Sequence, residues 1–168
     1  QDGGQSWTPL QDRTDNPQGL HLNAIARAGD DLYLVGEQGL LRKWDSGTQR
    51  FVSLPSPYDG SFFGLIGRPG ELLIYGLRGH AYRSTDDGQH WVRLASPLPI
   101  SISTAMQGAD GQFRLFTHAG HMLLQRGNEP LTLLPQAEPS PVAGAALTAD
   151  GTLALVGSRG VRMPTAAK

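Results

Sequence analysis

The sequence contains no cysteine. That excludes a disulfide framework, a thiolate nucleophile and a cysteine-ligated metal, and it leaves every redox compartment open. No run of 18 apolar residues occurs, the length a bilayer-spanning helix requires. A sustained 3.6-residue apolar period is missing too, which leaves little room for helices. Neither sign of charge dominates, since 14 Lys and Arg stand against 15 Asp and Glu for a net charge of −1. So balanced a chain offers nucleic acid or anionic lipid no general attraction, and neither nucleic-acid binding nor direct membrane insertion is expected. Gln1 is preceded by neither an initiator Met nor a charged-then-apolar leader, which points to processing or truncation upstream.

Glycine and proline are plentiful instead, with 22 Gly and 12 Pro among 168 residues, and they punctuate short apolar runs. The punctuation is periodic. A Gly-x-x-Gly pair at Gly36 and Gly39 returns at Gly76 and Gly79 and at Gly157 and Gly160, with Thr117 and Gly120 in the same place between them. The second glycines are thus separated by steps of 40, 41 and 40 residues. Upstream of each pair lies an apolar run (32–35, 72–75, 113–116 and 153–156), itself preceded by a turn signal at Asp30, Gly70, Gly111 or Gly151. Further strand-like runs follow at 50–54, 90–94 and 130–134. Four short strands in about 40 residues is the pattern of a β-propeller blade. The expected fold is therefore all-β, a single propeller domain over 1–168 of about four blades of four antiparallel strands. Its repeats span about 19–54, 58–94, 98–134 and 139–163, with an outer strand at 1–10.

The most specific motif is Ser84-x-Asp86-x-Gly88-x-x-Trp91, the Asp-box. A hydroxyl and a carboxylate accept backbone N–H groups in a tight turn, Gly88 supplies positive φ, and Trp91 packs the returning strand on the core. Lys43, Asp45, Gly47 and Phe51 form a degenerate version, and the repeat beginning at Thr117 keeps none. Asp2-x-Gly4-x-x-Trp7 is the second half of another box, cut at the amino terminus. Two arrangements follow. Either the N-terminal strand closes a four-bladed ring by pairing with the last blade, or the chain is the C-terminal part of a larger propeller; the interrupted motif favours the second.

The combined pattern Gly76-x-x-Gly79 leading to Ser84, Asp86, Gly88 and Trp91 resembles the BNR/Asp-box propellers related to the photosystem II stability and assembly factor. The period extends the resemblance along the whole chain, although one repeat alone is complete. It implies a non-catalytic, extracytoplasmic (periplasmic or secreted) platform that binds protein and helps assemble a membrane-associated complex, without cofactor or metal.

Sialidases also carry Asp-boxes on propellers, and a carbohydrate-binding or sialidase-like propeller is the alternative reading. Such an enzyme needs an arginine cluster, an acid/base Asp and a Tyr nucleophile. The F/Y-R-I-P signature is absent, and Arg114 within 113–115 is its nearest approach. Tyr33, Tyr75 and Tyr82 lie in strand patterns and read as packing residues. No catalytic residue is expected. Exposed platforms at Tyr58 and Phe62 would mark a sugar site. His118 and His121 are the one close histidine pair and lack a third ligand, so no metal is expected either.

Binding is then expected on one face of the propeller. The Gly-x-x-Gly turns and the inter-blade loops share that face, whereas the box turns occupy the other. Glu37, Arg78, His118 and Arg159 in the turns and Tyr58 in an inter-blade loop are the binding candidates. Arg78 and Arg159 recur at matching positions and suit a carboxylate or an acidic partner. Ser84, Asp86, Gly88 and Trp91, with Asp2, Gly4 and Trp7, are assigned to structure.

Overall fold

A computed structural model of the chain describes residues 2–136 and 139–164. Blade 1 is an antiparallel meander of β1 (Leu22–Ala28), β2 (Asp31–Gly36), β3 (Leu41–Asp45) and β4 (Arg50–Ser53). Blade 2 repeats it with β5 (Phe62–Arg68), β6 (Glu71–Gly76), β7 (Ala81–Ser84) and β8 (Val92–Leu94). Blade 3 contains β9 (Ile102–Gln107), β10 (Phe113–Thr117), β11 (Met122–Leu124) and β12 (Thr132–Leu134). Among the described residues blade 4 has three strands, β13 (Gly144–Leu147), β14 (Leu153–Gly157) and β15 (Gly160–Arg162). The first hairpin of every blade turns on a glycine with positive φ, at Gly29, Gly70, Gly111 and Gly151, the backbone a tight β-turn demands.

The second strand of an internal blade is flanked by sheet on both edges and by neighbouring blades on both faces, so its sequence is nearly continuous in apolar residues. All six residues of β6 are buried. Core therefore sits between blades. Tyr33, Val35 and Leu41 of blade 1 meet Phe62, Leu65 and Ile74 of blade 2. Leu73, Tyr75 and Leu94 then meet Ile102, Phe113 and Leu115 of blade 3. Phe116 and Met106 meet Val142 and Leu155 of blade 4 in a smaller cluster. Burying each such side chain contributes about 1.5–3 kcal/mol.

The inner strands adjoin in the order β1, β5, β9, β13, and the pair β1 with β13 is not among the elements in substantial contact. The four blades form an open arc. The outer strand expected over 1–10 does not form, since residues 2–10 have no sheet pairing. The following segment instead runs along the outer edge of blade 1, where Thr14 bridges Phe51 in parallel and the Asp15 N–H donates to the Phe51 carbonyl at 3.1 Å.

Candidate binding face

The turn between β7 and β8 of blade 2 is closed by its own side chains. The Ser84 hydroxyl donates to Asp86 Oδ1 (2.8 Å) and accepts the Gly88 N–H (2.9 Å), while the His90 N–H donates to Asp86 Oδ1 (2.9 Å). Gly88 has φ +84° and the preceding Asp87 +58°. The Trp91 indole N–H donates to the Gly88 and Pro55 carbonyls, which places its half-buried ring against the core between blades 1 and 2. These bonds hold the Asp86 carboxyl down at about 2.

The N-terminal half-box makes the same local bond, Trp7 Nε1 to the Gly4 carbonyl at 3.1 Å, and Asp2 Oδ1 accepts the Gly4 and Gln5 N–H groups at 3.2 Å. Its packing role is not realised, because Trp7 is 87% exposed with no blade beneath it. In the degenerate box, Asp45 accepts the Gly47 N–H and the Thr48 hydroxyl, and positive φ falls on Gln49 rather than Gly47.

On the opposite face, the Gly-x-x-Gly turns meet the linkers between blades. The Glu37, Leu77 and His118 N–H groups donate to the carbonyls of His21, Ser61 and Ser101, tying each turn to the residue before its own inner strand. Thr117 substitutes for glycine because its hydroxyl accepts the His121 N–H at 3.0 Å.

Between blades 1 and 2 this face carries an aromatic stack. Tyr58 lies on His80 with ring centroids 4.1 Å apart and planes 10° from parallel, and His80 Nδ1 is 3.1 Å from the Tyr82 hydroxyl. Phe62 abuts Tyr58 and Tyr82 edge-on. Burial, then the charges of Arg93 and Arg78, hold His80 below its ordinary pKa. Positive charge at the stack therefore comes from two exposed arginines flanking a neutral imidazole. Arg78 sits at φ +55°, with its N–H donating to the Ser101 hydroxyl. Two guanidinium groups beside a half-buried aromatic surface can receive a carboxylate together with an adjoining apolar group.

The structure distributes the expected binding residues unevenly. Tyr58 and Arg78 share the stack. Glu37 is occupied by His21, accepting its N–H at 3.1 Å and pairing with its ring at 3.0 Å. His118 is exposed on the next blade. Arg159 lies two blades from Arg78 and its backbone differs: Gly157 pairs directly with Gly160 across a two-residue turn, and Arg159 lacks the positive φ of Arg78. The residue matching Arg78 in conformation is Gln38, at φ +50°. Phe62, whose exposure would mark a sugar site, is fully buried. Arg93, His80 and Tyr82 were not among the expected residues. The register Tyr82 opposite Arg93 brings them together, and no spacing rule in the sequence announces that pair. Glu138 lies outside the described residues. Among the described residues no group of three His, Cys, Asp or Glu could hold a metal, and no helix is long and apolar enough to cross a membrane.

No protein-family model matches the sequence, and no curated protein matches it. Solved structures do match by fold. A YCF48 bound to D1 peptide superposes with a TM-score of 0.65 at 19% identity, over 92% of this chain and 53% of its own. YCF48 from Cyanidioschyzon merolae gives 0.66 at 14%, over 99% and 59%. Virginiamycin B lyase from Staphylococcus aureus gives 0.66 at 16%, over 84% and 54%. These similarities place the chain in the β-propeller fold. The chain spans a little over half the length of each of these proteins.

Proposed function

We propose that this chain is a non-catalytic protein-binding scaffold, that it acts outside the cytoplasm in the assembly or stability of a membrane-associated complex, and that it binds an extended, acidic segment of a partner. The observation that carries this reading is the site at Tyr58, His80 and Tyr82, where Arg78 and Arg93 supply charge beside an aromatic surface. A structural neighbour of the same fold, YCF48, is seen with a D1 peptide bound, which supports a peptide as the class of ligand. The box face suits binding less well, because its carboxylates are engaged with their own backbone and neighbours. A sugar platform is disfavoured by the burial of Phe62 and by the His80 ring stacked on Tyr58.

Capture from membrane extracts tests this. Arg78→Glu with Arg93→Glu is expected to reduce recovery of the partner more than Asp87→Lys with Asp110→Lys on the other face. A bound carboxylate would also raise the His80 pKa, read by NMR titration with and without an acidic peptide. Greater damage from the Asp87 and Asp110 pair would move the binding site to the box face.

A further inference from the structure

Five Asp-Gly pairs occur in the chain, beginning at Asp2, Asp59, Asp87, Asp110 and Asp150, and Asn-Gly does not occur. Such a pair can react with itself, because a glycine without Cβ lets its own nitrogen approach the preceding side-chain carboxyl. Folding suppresses the reaction wherever hydrogen bonds hold the two groups out of an attacking geometry. Four of the pairs are held in this way. The Gly88 N–H donates to the Ser84 hydroxyl at 2.9 Å. Gly111 and Gly151 donate to the Gly108 and Thr148 carbonyls at 2.9 Å. The Asp110 carboxylate is clamped by Arg114, and that of Asp150 accepts the Thr148 hydroxyl and the Thr152 N–H. Asp2 accepts the N–H groups of Gly4 and Gln5 and the Ser6 hydroxyl.

The pair at Asp59 is free on both sides of the reaction. Asp59 is exposed, and among the described residues neither its carboxylate nor the peptide it shares with Gly60 makes a hydrogen bond. The flanking peptides are anchored. The Tyr58 carbonyl accepts the Ser56 hydroxyl at 2.8 Å and lies close over Gly39, and the Gly60 carbonyl accepts the Gly39 N–H at 2.8 Å. Gly79 and Gly120 lie under the Leu98 and Ser140 carbonyls in the same way, but neither of those linkers contains Asp-Gly. A peptide plane left unbonded between two anchored neighbours can turn, and turning carries the Gly60 nitrogen toward Asp59 Cγ. Glycine is required here for a separate reason, since a Cβ at residue 60 would run into the Tyr58 ring that stacks on His80. The aromatic stack thus keeps a labile pair in place.

We propose that Asp59-Gly60 is a site of spontaneous aspartyl isomerisation, and that the change displaces Tyr58 from His80. The Gly60 nitrogen attacks Cγ of the protonated Asp59 carboxyl. The N–Cγ bond forms, a Cγ–O bond breaks, and the hydroxyl leaves as water with the Gly60 amide proton. The resulting succinimide takes up one water at the main-chain carbonyl carbon of Asp59, which breaks that carbon's bond to the Gly60 nitrogen. The chain then continues through Cγ, longer by one methylene, and the former main-chain carbonyl carbon becomes a free carboxylate. One water is lost and one regained, so the product has the mass of the starting chain and no oxidant or reductant is needed. Because Tyr58 and Gly60 are both fastened against Gly39, the added methylene has no slack to occupy. One anchor must move, and either motion shifts the Tyr58 ring, which lies across Gly60, relative to His80.

The test incubates the 168-residue chain in warm, mildly acidic buffer, folded and in urea. Isoaspartate is then mapped by digestion, enzymatic methylation of isoaspartyl carboxylates and fragmentation mass spectrometry. In the folded chain Asp59 is expected to carry roughly tenfold more isoaspartate than any of the other four pairs. In urea all five should react at similar rates. Asp59→Glu, which could close only a larger ring, should stay unreacted at this position and leave the NMR signals of the His80 ring unchanged. In the wild-type chain those signals should split into a second set whose intensity follows the isoaspartate fraction. The site assignment is overturned by equal reaction at another pair in the folded chain, by a folded chain inert at Asp59, or by the same preference for Asp59 in urea. A single set of His80 signals from the isomerised chain overturns the displacement of Tyr58.

Discussion

Asp86 shows how much one carboxylate organises. It accepts the His90 N–H and the Ser84 hydroxyl and pairs with the His90 ring at 2.6 Å. Its pKa is therefore held at about 2, first by the backbone bond from His90 and then by the side chains of His90 and Ser84. Asp110 is held as low by Arg114. A carboxylate depressed on folding stabilises the native state above its unfolded value, and that contribution disappears as pH falls through the folded pKa. Native stability should accordingly decline between about pH 4 and pH 2. Asp86→Asn is expected to be less stable than wild type near neutrality, with the gap narrowing steadily over that acidic window, as measured by urea denaturation at several pH values. A gap constant with pH would show that the Asp86 charge contributes nothing. The box was legible in the sequence because its bonds lie within eight residues. The stack of Tyr58 and His80 was not, because Tyr58, in the linker before β5, and His80, just before β7, meet only through the tertiary fold.

Among the elements, the junction of blades 2 and 3 depends on a buried acid. Glu71, at the start of β6, is nearly inaccessible, and both its oxygens are used, Oε1 by Arg83 Nε (2.6 Å) and Oε2 by Arg68 Nε (2.7 Å). Arg68 continues to the Gly111 carbonyl of blade 3 and lies over the Phe113 ring, while Arg83 reaches Asn128. Burial opposes the charge of Glu71, yet the two arginines hold its pKa below the ordinary value. Removing one partner of a buried pair strands the other, so Glu71→Ala should cost about 2–4 kcal/mol, somewhat below the fully buried case because Arg68 reaches solvent. The midpoint of urea denaturation checks this, and a change under about 0.5 kcal/mol would reduce the cluster to a surface pair.

Across the whole molecule, stability in a repeat array sums blade cores and the contacts between neighbours. Among the described residues blade 4 has three strands, the smallest inter-blade cluster and an exposed Val156. It should open first. Hydrogen exchange is expected to show the least protection in β13 to β15 and the most in β6, which is buried along its whole length. Protection in blade 4 equal to that of β6 would show that the array opens as a single unit.

The repeat period, the turn glycines, the apolar second strands and the self-bonded turn at Ser84 to Trp91 were all legible in the sequence alone, since each depends on residues a few positions apart or on a period in chain order. The packing role of Gly39, Gly79 and Gly120 was not, because a glycine kept for backbone contact is recognised only once the carbonyl above it is located. Tertiary structure decided that β1 and β13 stand apart, that Trp7 has no core beneath it, that Arg159 sits in a tighter turn than Arg78, and that Arg93 joins Arg78 beside His80. Each of these depends on the curvature of the arc or on cross-strand register, which summed packing between blades sets and local spacing does not.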